Sequence, residues 1–230
     1  EALQHTVDLA RHAEDLGLTR HWLAEHHNAA GVASAAPEIL ICRLAAATRT
    51  LRIGSGGIML PNHSPLKVAE VFRLLHALFP GRIDLGLGRA TGTDKRTAGR
   101  LQRTAQPSTG DDFPEALDEL TGYLAVETAP RAAWATTTVA VPAGVAPPDL
   151  WILGSGEGGA AVAAERGLGF AFAHHFNPED AIGMLRAYRA KFRPSPFLAE
   201  PRAILAVSAV CAETDREAQH LASSGELGGV

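Results

Sequence analysis

Apolar residues recur along this chain with two alternating periods. From Ala2 to Leu16, the positions Leu3, Val7, Ala10 and Ala13 fall at helical spacing, and Gly17 stands where a helix C-cap belongs. Leu18–Ala24 is short, rich in large apolar side chains and followed by Glu25-His26-His27-Asn28, which fits a buried strand ending in a loop. Helical patterns over about Pro37–Thr48 and Pro65–Leu78 each open on a proline, whose fixed φ suits a first turn. Strand-like runs follow them at Arg52–Leu60 and Arg82–Gly88. Starts near Thr19, Arg52 and Arg82 are roughly thirty residues apart with a helix between each pair, the signature of βαβ units and a parallel sheet.

After Arg89 the regularity loosens. Ala90–Asp112 is polar and rich in Gly, Thr and Arg, Pro114–Leu124 reads as a helix, and Glu127–Pro148 as a Thr/Pro/Ala-rich connection. Residues 90–148 are therefore expected to form an insertion or lid within one domain spanning 1–230. Alternation resumes with strand Leu150–Leu153, helix Glu157–Arg166, strand Gly169–Ala173, helix Pro178–Phe192, strand Ala203–Val210 and a last helix near Asp215. Every strand is followed by a helix, and the chain opens on a helix with no strand before it. The expected fold is α/β, a (β/α)8 TIM barrel without its first and last strands. An open doubly wound sheet is the runner-up, but GxGxxG is absent after the first strand-like run.

A formal charge of −4 with scattered basic residues leaves no electrostatic footprint for nucleic acid, so a small-molecule partner is expected. Cys42 and Cys211 form no disulfide framework or CxxC pattern. No apolar stretch approaches the length of a membrane span, and the opening residues lack the features of a signal peptide, which points to the cytoplasm.

The chemistry gathers at strand ends. Glu25-His26-His27, Gly56-Gly57, Arg89, Gly154-Ser155-Gly156 and His174-His175 all fall at or just after the C-terminal ends of strands, the face that carries the active site in barrel enzymes. Gly154–Gly159 follows a strand and opens a helix, so its backbone N–H groups and dipole favour an anion, and Arg89 can pair with phosphate through two hydrogen bonds. Gly54, Gly56, Gly57, Gly86 and Gly88 suggest a flat ligand lying close to the backbone, with bulges at tight bends as the alternative. A zinc site built from His26, His27, His63, His174 and His175 is disfavoured. Inward-facing ligands on one strand should read His-x-His, whereas these histidines come in adjacent pairs, so no metal is expected.

Three segments carry a resemblance: Trp22-Leu23-Ala24-Glu25-His26-His27, Gly54-Ser55-Gly56-Gly57-Ile58-Met59-Leu60-Pro61-Asn62-His63-Ser64-Pro65, and Pro80-Gly81-Arg82-Ile83-Asp84-Leu85-Gly86-Leu87-Gly88-Arg89. In that order they resemble the bacterial luciferase-like family of flavin-dependent monooxygenases. Trp151–Phe176 agrees more loosely. The resemblance implies a barrel that binds FMN as FMNH2, supplied by a separate NAD(P)H-dependent flavin reductase, and uses oxygen to oxidise an organic substrate. It places the active-site histidine at His26, a non-prolyl cis peptide at Gly56-Gly57 against the flavin ring, and phosphate contacts at Arg89 and Ser155. Gly88 stands where the luciferases proper carry a reactive cysteine, which argues against light emission.

His27, His63, His174 and His175 are candidates for the substrate pocket, and Phe170, Phe172 and Phe176 for an apolar wall around ring or substrate. A proton-handling role suits His26, because an unperturbed imidazole titrates near neutrality. Similar barrels also bind the deazaflavin coenzyme, whose acidic tail calls for basic residues near the phosphate site. A non-catalytic flavin-binding protein and a metal-dependent hydrolase are further alternatives. The resemblance also implies a homodimer paired through the second and third helices, where Ile39, Leu40, Val68, Phe72 and Leu75 are apolar.

Overall fold

The computed structural model describes residues 1–125 and 138–226, with side chains through 223. Helix α1 (Ala2–Asp15) leads into β1 (Arg20–Leu23), α2 (Pro37–Ala47), β2 (Arg52–Ser55) and β3 (Ile58–Met59). A 3-10 turn over Leu60–Asn62 precedes α3 (Pro65–Leu78), β4 (Ile83–Gly88), α4 (Lys95–Leu101) and α5 (Phe113–Ala125). The chain continues through β5 (Asp149–Gly154), α6 (Glu157–Glu165), β6 (Gly169–Ala173), α7 (Ala181–Lys191), β7 (Ala203–Ala206) and α8 (Asp215–Glu226).

All strand pairs are parallel, and the strands lie in the order β1-β2-β4-β5-β6-β7, with β3 paired beside β4. Sequence order is kept across the sheet, so the reversal that defines a doubly wound fold is absent from the described residues. The sheet also curls. Strands β1 and β5 stand three steps apart, about 14 Å if flat, yet the Trp22 and Trp151 rings meet at 5.6 Å and Arg20 reaches Asp149 at 3.7 Å. Strands β1 and β7 end the sheet without closing on each other, so the described residues form an arc of a barrel and not a full (β/α)8 ring.

One face of the arc packs against helices. Ile53, Ile83, Leu85, Leu87, Ile152, Phe170 and Phe172 are buried with Ile41, Leu44, Phe72, Leu117 and Tyr188. Phe170 meets Tyr188 of α7 at 5.5 Å and Phe172 at 6.1 Å, so both phenylalanines belong to this core and not to a ligand wall. Val68, Phe72 and Leu75 are buried in the same core, which leaves Ile39, Leu74 and Leu78 as the exposed large apolar residues of α2 and α3.

Two local departures from the sequence reading have physical causes. The run Arg52–Leu60 is not one strand: it breaks at Gly56-Gly57, whose peptide is cis. There Ser55 Oγ donates to the Gly86 carbonyl at 2.8 Å and accepts its N–H at 3.0 Å, replacing ladder bonds where β2 stops. Second, Ala90–Asp112 contains α4, held down by the buried Ala98 alone. Helix α5 buries Phe113, Leu117, Leu120 and Leu124, so it is a packed crossover helix between β4 and β5. Residues 127–137 of the expected Glu127–Pro148 connection lie outside the described residues.

The N-terminal ends of the strands are tied by charge. Asp84 is fully buried and accepts from Arg20 Nε at 3.0 Å, Trp22 Nε1 at 2.9 Å and Arg52 Nε at 2.9 Å. Arg52 also pairs with Asp149 at 2.9 Å, extending the network to β5. On the outside, Glu14 of α1 accepts the N–H groups of Arg49, Thr50 and Leu51, which lowers its carboxyl to about 2 and clamps the turn into β2.

Candidate active site at the strand C-terminal ends

Glu25, two residues beyond β1, is fully buried. Its Oε1 lies 2.7 Å from His27 Nε2 and 2.8 Å from His63 Nε2, and its Oε2 accepts the Met59 N–H at 2.9 Å. An ionised carboxylate only accepts, so both Nε2 atoms carry a proton. Burial alone would raise the Glu25 carboxyl, but hydrogen bonds from His63 and His27, the His63 charge and the Met59 amide outweigh it and hold the pKa below its ordinary value. His63 mirrors this: burial would lower it, and the Glu25 hydrogen bond and charge raise it.

The cluster joins loops from β1, β3 and β4. The His27 N–H donates to the Gly92 carbonyl at 3.3 Å, and Thr93 Oγ1 donates to the His27 carbonyl at 2.9 Å. A Cβ at Gly92 would stand 2.9 Å from the Glu25 carbonyl, so this position, at φ 62°, admits only glycine without rearrangement.

The histidines read from the sequence separate into groups. His27 and His63 meet on Glu25. His26 is exposed, and its backbone N–H donates to Ser34 at 3.0 Å. Its ring has no hydrogen bond among the described residues. His174 and His175 lie at the end of β6, where the His174 N–H donates to Ala206 at 3.0 Å and the exposed His175 ring stands 4.4 Å from Phe176. Among the described residues no group of His, Cys, Asp and Glu could hold a metal ion.

The glycines have an internal reason in most cases. A Cβ on Gly54 would stand 2.5 Å from the Asp84 carbonyl, on Gly86 2.1 Å from the Ser55 carbonyl, and on Gly88 2.8 Å from Met59 Sδ. These positions admit the close approach of the chain's own strands, which replaces the flat-ligand reading for them. A Cβ on Gly156 would meet nothing within 4 Å.

Gly156 is the N-cap of α6, with no side chain capping it, so first-turn N–H groups remain without intrahelical partners. Asn177 Nδ2 donates to the Ser155 carbonyl at 2.8 Å and fixes the approach of the loop. From β4, Arg89 reaches across: its Nη1 lies 3.4 Å from where a Gly158 Cβ would stand. The Arg89 side chain is exposed and has no ion pair or hydrogen bond among the described residues. Arg89 is thus brought to the first turn of α6, into which Gly154, Ser155 and Gly156 lead, while His26 and Gly56-Gly57 follow neighbouring strands on the same face. In the sequence Glu25 stands inside a motif that gives it no role of its own, and nothing marks Asn177. A carboxylate flanked by strand and histidines was the available signal for Glu25.

The sequence profile of the luciferase-like monooxygenases matches residues 1–228. A luciferase-like monooxygenase of Escherichia coli (strain K12) is 46% identical over 225 residues, covering 97% of this chain and 65% of its own length. The N-acetyl-S-alkylcysteine monooxygenase of Bacillus subtilis (strain 168) is 39% identical over 224 residues, covering 97% and 66%. The crystal structure of apo-MsnO8 superposes with a TM-score of 0.89 at 44% identity, covering 98% of this chain and 66% of that one. This chain therefore spans about two thirds of the length of such relatives. Two more distant structures share the fold at 18% identity. One is the oxygenating constituent of 3,6-diketocamphane monooxygenase in complex with FMN, at TM-score 0.70, covering 98% of this chain and 67% of that one. The other is a secondary alcohol dehydrogenase dependent on the deazaflavin coenzyme F420, at TM-score 0.63, covering 88% and 64%.

Proposed function

We propose, from the premise that this chain belongs to the luciferase-like monooxygenase family, that it binds reduced FMN at the strand C-terminal ends and takes part in oxidising a small organic substrate with molecular oxygen. One observation carries the cofactor half of this reading. The Arg89 guanidinium lies against the first turn of α6, where Glu157 is the one acidic residue; among the described residues Arg89 has no ion pair, and no side chain caps the helix end. Two positive ends held together favour an anion between them. Open space at Gly156 leaves room for one, and the phosphate of FMN fits that donor set.

When bound, reduced FMN supplies the two electrons that activate dioxygen. The chain's own residues do the rest in this reading. Arg89 and the α6 N–H groups grip the phosphate, and Gly56-Gly57 flanks the ring. His26, whose imidazole is not tied to a neighbour, handles the proton. Glu25, with His27 and His63, holds the loop that carries His26. A separate NAD(P)H-dependent reductase supplies the reduced flavin, and two copies pair through α2 and α3, where Ile39, Leu74 and Leu78 stand exposed. The substrate of the B. subtilis relative makes N-acetyl-S-methylcysteine a rational first compound to try. No helix among the described residues is long and apolar enough to cross a membrane.

Anaerobic titration of the purified protein with FMN, reduced FMN and the deazaflavin coenzyme tests the proposal. Reduced FMN is expected to bind most tightly, and oxygen uptake with substrate to depend on it. Tighter binding of the deazaflavin coenzyme would overturn the assignment.

A further inference from the structure

Helix α4 lies beside the Glu25 cluster and carries Lys95, Arg96 and Arg100, with Arg103 just beyond its end. A cleft of about 500 Å³ is lined by His27, Asn28, Arg96, Thr97 and Arg100. A second, of about 620 Å³, shares Arg96 and Arg100 and adds Lys95 and Arg103. None of these four cations has an ion-pair partner among the described residues. The nearby Asp94 is engaged elsewhere, accepting from Thr97 Oγ1 at 2.6 Å and Asn28 Nδ2 at 3.1 Å.

The backbone points to the same place. Asn28 and Arg103 are the only non-glycine residues with positive φ among the described residues, at 53° and 56°, and each lines one of the two clefts. For asparagine the left-handed region is tolerated, but for arginine it costs stability and persists where the surroundings impose it. Like-charged side chains gathered around a concavity are stabilised by an anion. The His27 wall places one end of the cleft beside the proposed reaction face.

We infer that the α4 cleft binds the carboxylate of the organic substrate, so that the substrates are small organic acids whose oxidisable atom extends past His27 toward the strand ends. The inference deepens the proposed monooxygenase reading and rests on it for the word substrate. The binding of an acid to the cleft is independent of flavin. The same cations could instead take the acidic tail of a deazaflavin coenzyme, and the test separates the two sources.

Calorimetric titration of the flavin-free protein with N-acetyl-S-methylcysteine and with its methyl ester reads the charge preference directly. The acid is expected to bind at least about tenfold more tightly than the ester. The double variant Arg96→Gln, Arg100→Gln should lose that preference while its melting temperature and its affinity for reduced FMN stay unchanged. Both side chains are solvent-exposed, and Arg96→Lys, Arg100→Lys should restore part of the preference. Equal binding of acid and ester, no binding of either, or a preference that survives the double variant overturns the inference. A double variant that weakens the deazaflavin coenzyme but not the acid also overturns it, assigning the cleft to a cofactor tail. If wild type prefers the acid but binds no reduced FMN, the flavin reading fails and the acid site stands.

Discussion

Among the described residues two carboxylates are completely buried, one at each end of the sheet. At the N-terminal end, Asp84 is held by Arg20, Arg52 and the Trp22 indole. At the C-terminal end, Glu25 is held by His27, His63 and a backbone amide. Both are fully satisfied, so burial alone does not tell them apart. The donors do. A guanidinium keeps its proton at any pH a protein meets, so the Asp84 network is a fixed tie between β1, β2, β4 and β5. An imidazole titrates near neutrality, so the Glu25 cluster can change its charge under working conditions. One end of the sheet is built to stay as it is, the other to respond.

Breaking the fixed end should produce the largest effect on the fold. Asp84→Ala leaves Arg20 and Arg52 with only the partly exposed Asp149 as counter-charge, and loss of one partner of a buried pair costs about 3–5 kcal/mol. Because the two arginine side chains are 28% and 20% exposed, the lower end of that range is expected from urea unfolding. A loss below about 1 kcal/mol would show that water already shares this network. At the responsive end, His26→Ala should leave reduced FMN binding intact and lower turnover by about a hundredfold, the usual cost of removing a positioned proton-transfer group. Normal turnover at saturating reduced flavin would make His26 structural.

Glu25→Gln sharpens the contrast at smaller cost. The glutamine keeps one acceptor oxygen, so either the two histidines or the Met59 N–H loses its acceptor, and about 1–3 kcal/mol of stability should be lost. The pH dependence follows from the two shifts. Glu25 is lowered, so its contribution is present above the ordinary 4.5 and lost as pH falls through its lowered value. His63 is raised, so its contribution is present below the ordinary 6.5 and lost as pH rises through its raised value. The contact is strongest between those two ordinary values. Melting curves from pH 4 to 8 should show the His63 limb in wild type and a flattened one in Glu25→Gln. An unchanged limb would assign it to another group.

Much of the fold was legible because apolar runs and proline-started helices report on themselves. Strands β1, β2, β4, β6 and β7 lie within the expected segments, β5 exceeds its own by one residue at each end, and the helix between each pair follows from its own periodicity. What escaped depends on distant neighbours. Helix α4 buries only Ala98, too little to leave a periodic trace. Gly54 and Gly86 announce that something comes close, but only the register of β2 against β4 shows it to be the chain's own backbone. Glu25 reads as a loop acid until Met59 and His63, far along the sequence, close over it. Arg89 and Ser155 could be placed on one face in advance because each follows a strand, and parallel strands share one active face.

In the proposed site an FMN phosphate would lie between Arg89 and the first turn of α6. The most direct test of this placement compares two ligands on two proteins: reduced FMN and reduced riboflavin, each titrated into wild type and Arg89→Ala. A charge-assisted hydrogen bond contributes about 1.5–3 kcal/mol, so the variant should bind FMN roughly ten- to hundredfold more weakly, and riboflavin, lacking the phosphate, almost as wild type does. If Arg89→Ala weakens riboflavin as much as FMN, Arg89 supports the ring or the fold, and the phosphate site described here is contradicted.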